Sequence, residues 1–203
     1  RIYRMNIKLK SWVISILITA LSGCAFTTDR IQLQYVPQTG VSSLPGANNV
    51  VVATKVSDLR ADKTKVSSKK NGFGIETAPI IATEDVTITL QRAIEQELQA
   101  RGFSIDSNRT RVVISVDLTR FYNDHKMGFI AGDAIADLNM NVTVKSIEGK
   151  QIYKRQILAE GSETYTQLAT GNNARLALNR ALENGIKILF EDKLFIEALL
   201  TAS

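Results

Sequence analysis

The clearest pattern in the chain is an alternation of apolar and polar residues in its second half. Residues 111–122 alternate, with Val112, Ile114, Val116 and Leu118 on one face, and residues 134–147 repeat the pattern. Because successive side chains of a β-strand point to opposite faces, each segment predicts a strand with one face in the core. Residues 148–150, Glu-Gly-Lys, turn the chain, and residues 151–163 return. Together these segments predict an antiparallel meander with one covered face.

Other segments repeat apolar residues every three or four positions, as α-helices do. Residues 83–101 predict the first helix, with Thr83 placed to cap its start and Gly102 placed to end it. Residues 173–190 predict the second helix, and residues 193–200 predict a short final one. Each of the two longer segments has an apolar stripe wide enough to pack against a sheet.

The first half of the domain predicts one strand and one hairpin. Residues 49–56 are rich in β-branched side chains, which predicts a strand buried on both faces at the centre of the sheet. Asn71 and Gly72 are typical of a hairpin turn, which would pair residues 63–67 with residues 73–78. The order β-α-β-β-β-α predicts an α+β fold, with a mostly antiparallel sheet of four to five strands and two helices packed on one face.

The N-terminus has the form of an export signal. Met5 begins a short basic head, and residues 11–20 are almost wholly apolar. This apolar run is too short for the ~20 residues of a membrane-spanning helix, but it fits a secretory signal peptide. The run ends in Leu21-Ser22-Gly23-Cys24, which resembles the lipobox of bacterial lipoproteins. That resemblance implies cleavage before Cys24, a diacylglycerol on its thiol and an acyl chain on its amino group, with no other cofactor.

The sequence therefore divides into a signal peptide at residues 5–23, a lipidated tether at 24–48 and a periplasmic α+β domain at 49–203. The tether interpretation rests on the Pro, Gly and Ser content of residues 25–48, which would span on the order of 80 Å if extended and hold one short strand at 31–36. Lipoproteins retained in the inner membrane typically have Asp after the lipidated Cys. Ala25 in that position predicts the periplasmic face of the outer membrane.

Charge and rare residues exclude several classes of protein. The formal net charge is +5, but residues 1–23 hold four of the basic residues and no acid, so the remainder has 21 basic and 20 acidic residues. A nearly neutral mature chain does not favour nucleic-acid binding. One Cys and one His provide neither an intramolecular disulfide nor the usual zinc spacings. A Cys–His catalytic pair is also disfavoured, since the Cys belongs to the export signal.

Charged residues after the predicted central strand are candidates for partner contact. Asp58 and Arg60 could bind a ligand at the strand end, or form a local ion pair that pins the loop. The following loop is basic and could contact lipid headgroups, lipopolysaccharide phosphates or peptidoglycan carboxylates. It could equally be a solvated hairpin tip. Its lysines of interest are Lys63, Lys69 and Lys70.

Two features of the segment between the first two meander strands also have alternative interpretations. Phe129 and Ile130 lie in a Gly-rich stretch that predicts a hairpin tip, where they could present an apolar contact to a partner. His125 has Asp124 beside it, but no serine or cysteine nucleophile accompanies it in any motif. A turn histidine is the preferred interpretation.

Three segments carry a wider resemblance: VVVATKVSDLRADKT, LQRAIEQELQARGFSID and NNARLALNRALENGIKILFED. In this order and spacing the chain resembles the YajG-type family of Gram-negative lipoproteins. The resemblance implies a lipid-anchored envelope domain without established enzymatic activity. We therefore expect a non-enzymatic binding or accessory subunit, held at the membrane by its lipid and contacting an envelope protein or polymer. The alternatives are a small-ligand or lipid-binding module with a pocket between sheet and helices and, less favoured, a hydrolase.

Overall fold

The computed structural model describes residues 26–106, 109–126, 128 and 131–202. The predicted signal peptide, Cys24, Phe129 and Ile130 lie outside the described residues. Within them the strands are β1 Asp29–Ile31, β2 Val51–Asp58, β3 Ser67–Lys70, β4 Glu76–Ala82, β5 Ser104–Ile105, β6 Val112–Lys126, β7 Gly132–Ser146 and β8 Gln151–Thr166. The α-helices are α1 Val86–Ala100, α2 Gly171–Glu191 and α3 Lys193–Thr201.

The larger sheet has five strands in the order β5-β2-β6-β7-β8. Its β6-β7-β8 part is the predicted antiparallel meander. The prediction of a mostly antiparallel sheet is wrong for the other half, because β2 runs parallel to both β5 and β6. The chain leaves β2, crosses the sheet through α1 and returns in the same direction, and such a crossover produces parallel neighbours.

The long helices cover one face of this sheet, as predicted. Helix α1 packs over β2 and β5, and α2 packs over β6, β7 and β8. The strand residues beneath them have no solvent exposure, among them Val116, Leu118, Leu138 and Met140. The described residues include a third helix, α3, whose Phe195 makes edge contacts with Phe190 and Tyr153 and closes one end of the core.

A bulge in β6 reverses which positions face the core. Residues 112–118 bury their even-numbered side chains, whereas Phe121, Asn123 and His125 are buried beyond them. The register with β7 shifts between Leu118 and Arg120, so Thr119 is the extra residue. An added residue rotates all later side chains to the opposite face.

A second, three-stranded sheet has the order β1-β4-β3, where a single sheet was expected. The predicted hairpin exists as β3 and β4, although residues 63–66 form a loop rather than part of its first strand. The hairpin lies beside the second half of β6, beyond the point where β2 ends. There the Asn123 N–H donates to the Val66 carbonyl at 2.8 Å, and the Asn123 amide donates to Ser67 Oγ at 2.9 Å.

The prediction of a flexible tether up to residue 48 is wrong for most of its length. Strand β1 pairs in parallel with β4, in place of the strand expected at 31–36. Ile31, Leu33 and Ala47 are buried members of the core. These apolar residues gain enough from burial to hold a segment whose Pro and Gly content resembles a linker. Residues from Asp29 onward therefore belong to the folded domain.

Candidate functional site

The loop after β2 is organised around the side chain of Arg60. Its guanidinium donates to both carboxylate oxygens of Asp58, at 3.0 and 2.9 Å. It also reaches three backbone carbonyls, those of Lys63, Lys65 and Phe121, at 3.4–3.5 Å. The Arg60 side chain is buried. This geometry matches the local ion pair that pins the loop, because the donors of Arg60 are directed at the loop itself.

The ionisation of Asp58 follows from the same contacts. Burial alone would raise its pKa, but hydrogen bonds from the side chain and backbone of Arg60 outweigh burial and hold the pKa below the usual range. Asp58 is therefore a charged acceptor for Arg60 near neutral pH. A general acid would need the opposite shift, toward a protonated carboxyl.

The lysines of the β3–β4 hairpin also have partners within the domain. Lys69 forms an ion pair with Asp29 at 2.7 Å, Lys70 pairs with Asp124, and Lys65 pairs with Glu76 at 2.6 Å. Lys69 and Lys70 thus join the hairpin to β1 and β6. Lys63, by contrast, lies exposed on the loop. The sequence indicated one continuous basic loop. In the structure Lys65, Lys69 and Lys70 instead form separate ion pairs.

An open groove of about 630 Å³ lies between this loop, the end of β4 and the start of α1. Asp85, rather than the predicted Thr83, caps the helix there, accepting from the Thr87 N–H at 2.8 Å. The helix terminus is therefore occupied by a carboxylate of the chain itself, which disfavours an anionic ligand. The groove opens to solvent at the ends of β2, β4 and α1, whereas the alternative ligand-binding function would need an enclosed pocket beneath the helices.

His125 is a buried strand residue, so its prediction as a turn histidine is wrong. The bulge at Thr119 turns its side chain toward the interior. Neither ring nitrogen has a hydrogen-bond partner among the described residues. Burial lowers its pKa to about 4, with Lys70 lowering it further and Asp124 opposing the shift. His125 is thus neutral at pH 7.

We predict that His125 makes stability fall as the pH drops below 6.5. The folded pKa of about 4 lies below the unfolded value of 6.5, so the unfolded chain binds the proton first. The expected loss in the free energy of unfolding is about 2 kcal/mol at pH 5 and about 3 kcal/mol at pH 4, and none above pH 7.

Urea unfolding at pH 7.5 and pH 5.0 checks this prediction in the chain without its predicted signal peptide. The variant His125→Leu should lose the part of the pH dependence that His125 causes. Equal pH dependence in wild type and variant would contradict the assignment.

A cluster that the sequence analysis missed joins the N-terminal segment to helix α1. Glu97 is fully buried and accepts from the Tyr35 hydroxyl at 2.7 Å and from the Gln38 N–H at 2.9 Å. Its other oxygen pairs with Arg101, which also donates to Gln38 Oε1 at 2.9 Å. The Arg101 guanidinium lies 4.5 Å from the ring centre of Phe190. We call these residues the Glu97 cluster.

The electrostatics of the Glu97 cluster favour a charged carboxylate. Burial would raise the pKa of Glu97, but the hydrogen bonds from Gln38 and Tyr35 and the charge of Arg101 outweigh burial and lower it. The pKa of Tyr35 is raised, first by burial and then by its bond to Glu97. The available signal was that Glu97 interrupts the apolar stripe of α1. Its partners Tyr35 and Gln38 are 62 and 59 residues away, so periodicity could not identify them.

The described residues lack two features, a metal-binding cluster and a membrane-spanning helix. They contain no group of three or more His, Cys, Asp or Glu side chains arranged to hold a metal ion. No helix among them combines the length and the apolar character needed to cross a bilayer.

Fold and site together define a small α+β domain whose prominent charged residues bind one another. The chain belongs to the Lipoprotein_16 family, described as an uncharacterized lipoprotein, whose model matches residues 37–199. This agrees with the resemblance to YajG-type lipoproteins seen in the sequence. No curated protein matches the chain.

Solved structures share the fold at low sequence identity. Protein XCC0632 from Xanthomonas campestris, of family DUF330, aligns with a TM-score of 0.55 and 12% identity, covering 87% of this chain and all of that one. A second, described as an uncharacterized protein, gives a TM-score of 0.50 and 11% identity, covering 80% and 96%. At such identities the likeness shows the fold alone.

Proposed function

We propose that the mature chain is a lipid-anchored periplasmic lipoprotein that acts, without catalysis, as a binding or accessory subunit of an envelope assembly. The observation that carries the proposal is the lipobox ending in Cys24, only five residues before β1 begins. Membership of a lipoprotein family supports it. Ala25, in place of Asp, favours the periplasmic face of the outer membrane.

The chemistry of the described residues supports a binding role over an enzymatic one. Arg60, Lys69 and Lys70 form ion pairs within the domain, and these contacts fix the loop and the hairpin. His125 is buried and neutral, and among the described residues neither ring nitrogen has the hydrogen-bonded nucleophile that a hydrolase would require. These ion pairs hold the loop and the hairpin in one conformation. A preorganised surface loses less conformational entropy when it binds another molecule, which suits a role in recognition.

The anchor makes a direct prediction about Cys24. Cys24→Ala should give an unprocessed precursor that takes up no labelled palmitate, because the thiol that receives the lipid is absent. Ala25→Asp is the matched control, since it should keep the label but move the protein to the inner-membrane fraction. Normal palmitate labelling of Cys24→Ala would contradict the anchor.

The accessory role can be tested by site-specific photo-cross-linking in cells. Lys63 on the exposed loop and Leu158 on the uncovered face of β8 are suitable positions for the cross-linker, with Gln99 as an exposed control. We expect a discrete protein or polymer adduct from Lys63 or Leu158 and none from Gln99. Turnover of cell-wall or lipid substrates by the purified protein would overturn the non-enzymatic assignment.

A further inference from the structure

The chain enters the domain beside the turn of the β3–β4 hairpin. Because β1 runs parallel to β4 with Asp29 opposite Ile80, the residues before Asp29 lie toward the start of β4. Lys69 bonds to Thr27 at 3.4 Å and to Asp29 at 2.7 Å, which holds this entry against the hairpin. Phe26, the first described residue, is 69% exposed there.

The hairpin turn itself presents two apolar side chains in a fixed conformation. The side-chain oxygen of Asn71 accepts from the backbone N–H groups of Phe73 and Ile75, both at 3.0 Å. The Gly74 N–H donates to the Asn71 carbonyl at 2.9 Å. Phe73 is nevertheless 91% exposed and Ile75 is 62% exposed. A turn this well bonded keeps both side chains directed into solvent.

The segment from β8 to α2 adds two more exposed side chains at the same end. The Gly171 N–H, at the start of α2, donates to Asp29 at 2.9 Å, so this segment adjoins the chain entry. Leu168, just before it, is 68% exposed, and Tyr165 is 85% exposed. Tyr165 has φ +57°, the one positive φ among the described non-glycine residues. Bulky residues rarely adopt this conformation, and such strain is typically kept at functional positions.

We propose that this end of the domain is a surface that contacts the lipid bilayer, with five exposed side chains entering the headgroup region. They are Phe26, Phe73, Ile75, Tyr165 and Leu168. The proposal rests on the anchor proposed above. Cys24 is two residues before Phe26 and so lies within roughly 7 Å of it. A lipid on Cys24 would bring the membrane to this end of the domain.

The chemistry of this end fits a bilayer interface. Aromatic side chains with apolar rings are favoured at the headgroup level, and exposed apolar residues bind there by burying their surface. The nearby Lys69 and Lys70 are neutralised by Asp29 and Asp124, which lowers the cost of approaching the apolar layer. Lys126, exposed at the end of β6, adds a cation suited to lipid phosphates. The lipid on Cys24 would hold the protein at the bilayer without fixing how the domain is oriented, and a second contact at this surface would fix that orientation.

The test uses the lipidated protein in vesicles of phosphatidylcholine and phosphatidylglycerol at four to one. The single Trp of the chain, Trp12, lies in the predicted signal peptide, so processed wild-type protein should lack Trp fluorescence. Phe73→Trp places a probe on the proposed surface. Leu194→Trp is the control, because Leu194 is 66% exposed but follows the far end of α2, about 30 Å away along the helix.

We expect brominated lipids to remove about half or more of the Phe73→Trp emission and to leave Leu194→Trp unchanged, since interfacial groups sit roughly 5–10 Å into the boundary. Flotation with the vesicles but no quenching of Phe73→Trp would overturn the surface and leave the anchor standing. A blue shift without lipid quenching would indicate a second protein copy and also overturn it. Failure to float, or Trp fluorescence in wild type, would overturn the anchor and the surface with it.

Discussion

Replacing Glu97 with alanine is expected to lower the free energy of unfolding by about 3–5 kcal/mol, the cost of breaking a buried ion pair by removing one partner. The variant leaves Arg101 without its counter-charge in a site where its side chain is about 10% exposed. The Tyr35 hydroxyl and the Gln38 N–H lose their acceptor as well. Both groups belong to the N-terminal segment that leads into the core.

The loss should be accompanied by local release of that segment. Residues 34–44 contact the helices through the Glu97 cluster and through the Leu44 N–H, which donates to the Arg101 carbonyl at 2.9 Å. We therefore expect faster proteolysis within residues 34–44 in Glu97→Ala. Glu95→Ala, the same change two residues earlier and therefore on a different, less buried face of α1, should cost less than about 0.5 kcal/mol. Urea unfolding measures both, and a loss below 1 kcal/mol in Glu97→Ala would show that the cluster is not a buried ion pair.

The periodic segments of the chain were predictable because their partners are near in sequence. The inward residues of β6 up to Leu118 and of β7 follow from alternation alone, and the helix stripes follow from their spacing. Gly102 ends α1 as expected, at φ +90°. Local pattern determines local conformation wherever one face of the element is buried.

The bulge at Thr119 was not predicted, although the spacing of apolar residues in the sequence indicates it. Apolar residues alternate up to Leu118, and the next one is Phe121, three positions on. That change of spacing marks the extra residue, which decides the burial of His125. Without a bulge the same pattern indicates the end of a strand.

The predictions for the N-terminal segment and for the charged loop were wrong for a different reason. The partners of these residues are distant in the chain. Gln34 bonds to Asn179, and Lys70 pairs with Asp124. Composition alone made the first segment a tether and the second a basic patch. Both assignments changed because burial and ion pairing depend on the tertiary fold. The reach of roughly 80 Å expected for an extended tether does not apply to residues 29–48, because these residues lie within the fold.

Gly161→Ala provides the sharpest test of how closely helix α2 lies on the sheet. Gly161 is in β8, where alanine would ordinarily be favoured over glycine by roughly 0.5–1 kcal/mol. A Cβ at this position would collide with the backbone N of Ala181 and the carbonyl of Ala177. Backbone atoms of a packed helix cannot rotate away, so α2 must shift. We expect a loss of about 2–3 kcal/mol in the free energy of unfolding, the opposite sign from strand propensity.

Alanine substitutions at two other glycines distinguish the effect of packing from that of secondary-structure propensity in the same unfolding measurement. A Cβ at Gly72 would meet nothing within 4 Å, so Gly72→Ala should change stability by less than about 0.5 kcal/mol. At Gly185, within α2, the Cβ would meet Leu138 Cδ2 at 2.9 Å, a flexible side-chain atom that can move. Alanine also favours the helix there, so Gly185→Ala should cost less than Gly161→Ala. Equal stability of all three variants would mean that α2 lies farther from β8 than the structure places it, and the close fit of Gly161 against Ala177 and Ala181 would have to be abandoned.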